Sequence, residues 1–174
     1  ASRHIIGLGL REAMQALFPT LNAGQHARLT QAYREHFLQK DQTHMPLFPG
    51  VDDGLRRLSR QDYLLAVATG KARRGLDRVL EETAMGGLFS ATRCADEAYS
   101  KPHPRMLEDI LETTGVARQR ALMVGDTTYD MQMAQNAGVA GLGVSYGVHT
   151  RDDLLRHGAL ACLDSFDEVC AWIR

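Results

Sequence analysis

At 174 residues, with 44% hydrophobic and 24% charged residues, the chain suits one well-buried domain with room for a small accessory lobe. A formal net charge of −1 excludes a basic field for nucleic acid or a polybasic membrane face, so an anionic ligand must be held by local groups. Cys94, Cys162 and Cys170 stand far apart without a CxxC pair, which argues against a disulfide framework or zinc site and for a reduced, cytoplasmic setting; no apolar run reaches the ~18 residues of a membrane helix.

Residues 1–45 read as helical. Leu10, Met14, Leu17 and Phe18 follow the i, i+4, i+7, i+8 spacing of one helix face, and Pro19 ends it. Leu29, Tyr33, Phe37 and Leu38 mark a second helix, with Asn22 as its cap. Two helices with no strand between them predict a small helical lobe. "MPLFPG" (45–50) has the composition of a hinge.

From 46 to 174 the pattern changes. A helix over 51–60 leads to the unbroken apolar run "YLLAVAT" (63–69), a predicted strand. "KARRGLDRVLEET" is helical, "FSATRC" a weaker strand, and "RMLEDILETTG" a helix stopped by Gly115. "ALMVG" (121–125) is a strand, "TYDMQMAQNAG" a helix stopped by Gly138, and "AGLGVSY" (140–146) another strand. The tail gives a short helix "RDDLLRHG", a strand "ALAC" and a closing helix "FDEVCAWIR". Strands alternating with helices indicate an α/β fold, a parallel sheet with helices on both faces. Burial on both sides explains why "YLLAVA" and "ALMV" show no polar alternation.

In an open parallel sheet, ligands collect at the carboxyl ends of the strands. Three polar clusters fall there. Thr69-Gly70-Lys71 closes the first strand; Thr69 offers a hydroxyl and Gly70 an unhindered amide to a phosphate oxygen. Ser100-Lys101-Pro102 follows the second strand, and Lys101 supplies a point charge. Gly125-Asp126 closes the third, with Asp130 one turn into the next helix; acids at i and i+4 can face one hard cation such as Mg²⁺. Taken singly, each has an ordinary reading: Asp126 as a helix cap, Asp130 as a first-turn acid, Thr69 as a strand end, Lys101 as a solvated lysine. Their order along the chain, each at such a boundary, points to a phosphate and a metal.

"VATGK", "SKPHPRML" and "MVGDTTYD" resemble the second, third and fourth motifs of the haloacid dehalogenase superfamily, in its phosphoglycolate-phosphatase-like branch. The resemblance spans almost the whole chain: residues 1–45 look like that branch's helical cap, with "GLGLREAMQ" similar to the segment facing the active site. It implies a Rossmann-like core over 46–174 and a Mg²⁺-dependent phosphatase of small phosphorylated metabolites, working through an aspartyl-phosphate. Thr69 would then bind the transferring phosphoryl group with the Gly70 amide. Lys101 would hold its charge and orient the attacking aspartate. Asp126 would bind Mg²⁺ directly, and Asp130 would act through water or by fixing Lys101. Arg3, His4 and Arg11 are the polar candidates on the cap.

The family's first motif, a leading strand ending in DxDGT or DxDGS, is not found. "VDDGLRRL" follows a Pro-Gly turn with no apolar strand before it, so Asp52 and Asp53 are read as starting a helix. In this family the leading strand lies between the Thr69 and Asp126 strands. Its apparent absence predicts two open strand edges, a nucleophile supplied by an N-terminal segment outside these residues, and no activity in the 174 residues alone. The other readings are a non-catalytic phosphate- or metal-binding relic, and within the enzyme class a phosphosugar mutase or, with less support, a dehalogenase.

Overall fold

Residues 5–40 and 46–173 are described in the computed structural model. The first helices, α1 (Leu10–Leu17) and α2 (Ala23–Lys40), pack together. Helix α1 buries Ala13 and Met14, while Leu17 and Phe18 are about two-fifths exposed. The expected stripe fails at its end because Phe18 is already the C-cap, at φ −128° and ψ 62°, and no longer follows the helical spacing. At the start of α2 the Asn22 side chain accepts from Gln25 N (3.0 Å) while Gln25 Oε1 accepts from Asn22 N (2.9 Å), a reciprocal cap.

Gly50, at φ 77°, turns the chain into α3 (Val51–Ser59) in a conformation that favours glycine. Asp52 and Asp53 lie in the first turn of α3, where Asp52 pairs with Arg56 at 2.7 Å. The order then runs β1 (Leu65–Thr69), α4 (Arg73–Glu82), β2 (Phe89–Cys94), α5 (Arg105–Thr114), β3 (Leu122–Gly125), α6 (Thr128–Ala137), β4 (Ala140–Val144), α7 (Arg151–Arg156), β5 (Ala159–Leu163) and α8 (Phe166–Trp172). Strand β1 starts two residues later than its apolar run, because Asp62 at φ 62° is still turning the chain out of α3. Strand β4 stops two residues short of Tyr146, whose ring packs edge-on against Phe48 at 4.9 Å. The helix stops at Gly115 and Gly138 are as expected, both with φ near +70°.

Every strand pairing is parallel. Alternate strand residues serve opposite faces, as a pleated strand requires. Leu65, Leu122, Val124, Leu142 and Val144 pack with Leu58 of α3 and Phe166, Val169 and Cys170 of α8. Ala68, Ala121 and Met123 pack on the other side with Met106 and Leu107 of α5 and Met133, Ala134 and Ala137 of α6. The architecture is therefore α/β with helices on both faces. The ladder is interrupted once. Strands β1 and β2 form one sheet and β3, β4 and β5 another, and among the described residues no strand joins β1 to β3. Yet β1 and β3 feed the same two clusters, one on each face. Among the described residues no helix is long and apolar enough to cross a membrane.

Candidate active site

The tightest cluster sits where β3 runs into α6. Thr127 caps the helix: its hydroxyl accepts from Asp130 N, and Asp130 Oδ2 accepts from both Thr127 N (3.0 Å) and Thr127 Oγ1 (2.7 Å). A Cβ at position 125 would collide with the Asp130 side chain, so glycine is needed at the end of β3. The remaining oxygen, Asp130 Oδ1, accepts from Lys101 Nζ at 2.7 Å, and Lys101 and Asp130 are 7% and 3% exposed. The pair is satisfied on the Asp130 side, where Thr127 occupies the other oxygen, while Lys101 keeps N–H donors beyond the one given to Asp130. Sequence spacing had Asp126 and Asp130 facing one cation. The capping box turns one oxygen of Asp130 back onto its own helix end and the other meets Lys101, the contact the resemblance offered as one of two roles for this acid.

Asp126 is half-buried. Its Oδ2 accepts from Val148 N at 3.0 Å. Burial pushes its carboxyl group above the usual carboxylate range, and the charge of Asp130 adds to this, with Lys101 and the Val148 amide opposing. Its own backbone N–H is a second donor to the carboxylate. A carboxylate held against burial and a like charge suits a hard cation, and Mg²⁺ takes one or two carboxylates, waters and substrate oxygens. The residues present fit such an ion only in part: among the described residues no group of three His, Cys, Asp or Glu converges, and Asp126 is the carboxylate of this cluster not already committed to Lys101 and Thr127.

Thr69 ends β1, and its Oγ1 accepts from Lys71 N at 3.1 Å, which leaves the hydroxyl proton free to donate. The Thr69 turn is tied to the loop that carries Lys101. Lys71 O accepts from Ala95 N (3.0 Å), Asp96 Oδ1 accepts from Arg73 N (2.9 Å), and the Arg73 guanidinium makes a two-pronged pair with Glu97, both arms at 2.7 Å. Those contacts hold the Glu97 carboxyl below its ordinary range, the Arg73 hydrogen bonds first among causes. Gly70 faces the backbone of Gly7 and Leu8: a Cβ there would stand 3.1 Å from Leu8 O and 3.3 Å from Gly7 O. On the opposite side Gly7 meets Thr127, since its own Cβ would lie 2.8 Å from Thr127 Oγ1. Further along, Ser100 Oγ donates to Glu12 Oε2 at 2.9 Å.

Lys101, Asp126 and Asp130 thus form one electrostatic group. Gly70 lies against the Gly7–Leu8 backbone, which also meets Thr127, and Thr69 makes no hydrogen bond to the three members of that group among the described residues. The leading turn of α1 touches all three loops, at Gly70, Ser100 and Thr127. Arg11 is exposed on α1; Arg3 and His4 lie outside the described residues. Sequence reasoning missed Thr127, Val148, Glu12 and the Arg73–Glu97 tie. For Thr127 a signal existed, the Thr-x-x-Asp spacing of a capping box.

Residues 1–144 match the family model described as "Haloacid dehalogenase-like hydrolase". The chain is similar to "Probable phosphatase IndB" of Dickeya dadantii, at 36% identity over 97% of this chain and 75% of that protein. It is also similar to proteins named "Phosphoglycolate phosphatase" from Mesorhizobium japonicum (29% identical, 86% of this chain, 68% of the relative) and Aliivibrio fischeri (37%, 70% and 52%). Among solved structures, a haloacid dehalogenase-like family hydrolase from Streptococcus pneumoniae superposes with a TM-score of 0.84 at 24% identity, covering 99% of this chain and 80% of that one. A hydrolase from Pseudomonas syringae gives a TM-score of 0.80 at 22% identity, covering 96% and 78%. These likenesses support the fold alone; the family match, which covers most of the chain, goes further. The chain belongs to the haloacid dehalogenase-like hydrolases.

Proposed function

We propose that residues 1–174 supply the phosphate- and cation-binding face of a Mg²⁺-dependent phosphatase of small, phosphoglycolate-like phosphomonoesters. The observation that carries this reading is the buried Lys101–Asp130 pair beside the half-buried Asp126, at the carboxyl ends of parallel strands.

Each side chain has a task that its surroundings suit. Lys101 commits one of its three N–H donors to Asp130, leaving two for a phosphoryl oxygen and an attacking carboxylate. Asp130 is a positioning residue that holds the ammonium group still. Thr69, its hydroxyl already accepting from Lys71 N, donates to a second phosphoryl oxygen, with the Gly70 amide beside it. Asp126 would hold the Mg²⁺, and the ion would supply charge neutralisation on the phosphoryl group. The carboxylate attacks phosphorus as the P–O bond to the substrate's alcohol breaks, the departing oxygen taking a proton from the second acid of the same outside motif, and water then cleaves the aspartyl-phosphate. Helices α1 and α2 serve as the cap that keeps bulk water out.

The attacking carboxylate comes from outside these residues. In support, β1 and β3 are not hydrogen-bonded to each other although both line the same two apolar clusters. A further parallel strand between them would complete the ladder and deliver its carboxyl end to the mouth formed by Thr69, Lys101 and Asp126. Proteins similar to this chain are named phosphatases, three of those cited above among them.

The test is a panel of small phosphomonoesters, phosphoglycolate and sugar phosphates included, offered to the full-length gene product. Mg²⁺-dependent release of phosphate, cut at least 10³-fold by Asp126→Asn, is the expected result. Isomerised sugar phosphate in place of free phosphate would identify a mutase. Divalent-ion binding without turnover of any substrate would mean that the site is a relic.

A further inference from the structure

The turn after β4 does more than connect β4 to α7. It wraps the one acid proposed to hold the cation. Val148 N donates to Asp126 Oδ2, and His149 N donates to Asp126 O, each at 3.0 Å. The His149 ring reaches the start of α6, where Nδ1 accepts from Thr128 N at 3.0 Å. That contact satisfies one of the N–H groups left over at a helix N-terminus and links the turn to the element that also positions Asp130. Tyr129 flanks the same imidazole, with ring centres 6.1 Å apart.

Between these contacts lies Gly147. Its φ is not in the left-handed region, so backbone conformation does not require glycine there. The Asp126 side chain does: a Cβ at 147 would collide with its Cβ, Cγ and Oδ2. The glycine is present because the turn and the carboxylate approach too closely for any side chain.

We infer that Gly147 and His149 are positioning residues for Asp126: the close turn they create commits Oδ2 to the Val148 amide and fixes the orientation in which the carboxylate meets the cation. This rests on the reading of Asp126 as the cation's direct ligand. Gly147 acts by the absence of a side chain and His149 by anchoring the turn to α6, so two dissimilar substitutions reach the same carboxylate from two directions. Partners of this kind typically contribute about 10–100-fold in metal affinity.

The experiment is a titration of the full-length gene product with Mn²⁺, followed by the electron paramagnetic resonance signal of the free ion, with metal-free melting curves alongside. Gly147→Ala and His149→Leu are expected to weaken Mn²⁺ binding about tenfold or more. His149→Asn, which places an acceptor oxygen where Nδ1 stood, is expected to bind within about threefold of wild type. Melting without metal separates a local effect from general unfolding. Should Gly147→Ala fail to fold, the contrast between Asn and Leu at 149 decides the point. If Asp126→Asn abolishes binding while these variants bind like wild type, the positioning inference is wrong and the metal reading stands. If Asp126→Asn itself binds like wild type, both fall. Equal loss in the Asn and Leu variants would remove His149 from the device.

Discussion

The half of the molecule around β3, β4 and β5 and the half around β1 and β2 hold the two ends of the site by different means. In the first, four consecutive residues of β4 are buried, α6 buries Asp130, Met131, Met133, Ala134 and Ala137, and Asp130 holds Lys101, which reaches it from the loop after β2. In the second, no residue of β1 is buried, and the Thr69 turn is held by the Arg73–Glu97 bridge, whose side chains are 31% and 35% exposed. The contrast teaches where rigidity is placed. The Asp126–Asp130 end is set by buried contacts that are costly to break, and the Thr69 end by solvent-screened ones that are cheap to break.

Breaking the buried end should give the largest effect. Lys101→Met leaves Asp130 charged and without its cation inside the fold, and is expected to cost about 3–5 kcal/mol in denaturant unfolding. Neutralising both partners, as in Lys101→Met with Asp130→Asn, which keeps an acceptor for Thr127, should recover part of that stability and none of the turnover. A double variant no more stable than Lys101→Met would show that the pair is not a closed unit.

Asp126 sharpens the comparison because here the buried end carries a group that its surroundings disfavour. Its carboxyl group is raised, by burial first and the Asp130 charge second. An acid raised in the fold contributes stability while protonated and loses it as pH rises through the folded value. Ionised Asp126 therefore costs stability at neutral pH when no metal is bound. Metal-free Asp126→Asn should melt a few degrees above wild type at pH 7, and the gap should close as pH falls below about 4. Divalent affinity of the wild type should drop over the same descent, starting above the ordinary carboxylate range.

At the exposed end the expected costs are smaller. Arg73→Ala should remove about 1 kcal/mol or less, while raising KM several-fold because the Thr69 turn and the Lys101 loop lose their tie. Glu12→Gln, which keeps an acceptor for Ser100, should leave stability within about 0.5 kcal/mol of wild type. A change in KM with unchanged melting would place Glu12 at the substrate.

Much of this contrast was legible in the residues. Alternation of apolar runs with helical periods is local, and it located the strands and the helices of both faces. Two of the polar clusters stood out because they close apolar strands at the end where parallel sheets bind ligands, and the third because it lies in the loop beyond a strand, just before a helix. Spacing was incomplete at Asp130: an i, i+4 pair describes a shared helix face, but Asp126 precedes the helix and Asp130 answers to the cap at Thr127. The end of α1 was misjudged for a similar reason, since Phe18 had left the helix. Gly147 and Val148 were illegible because their role depends on a close approach between a turn and an acid 21 residues or more away. The Arg73–Glu97 tie likewise joins residues whose pairing no local pattern reveals.

The central claim is that Thr69, Lys101 and Asp126 belong to a phosphoryl-transfer site completed by a carboxylate from outside these residues. Its most direct test compares residues 1–174 with the full-length gene product at pH 7, following hydrolysis of an aryl phosphate with and without Mg²⁺. Turnover by the full-length protein alone, only with Mg²⁺, and lost in Asp126→Asn, is the expected result. Comparable turnover by residues 1–174, or full-length turnover that survives Asp126→Asn, would contradict it.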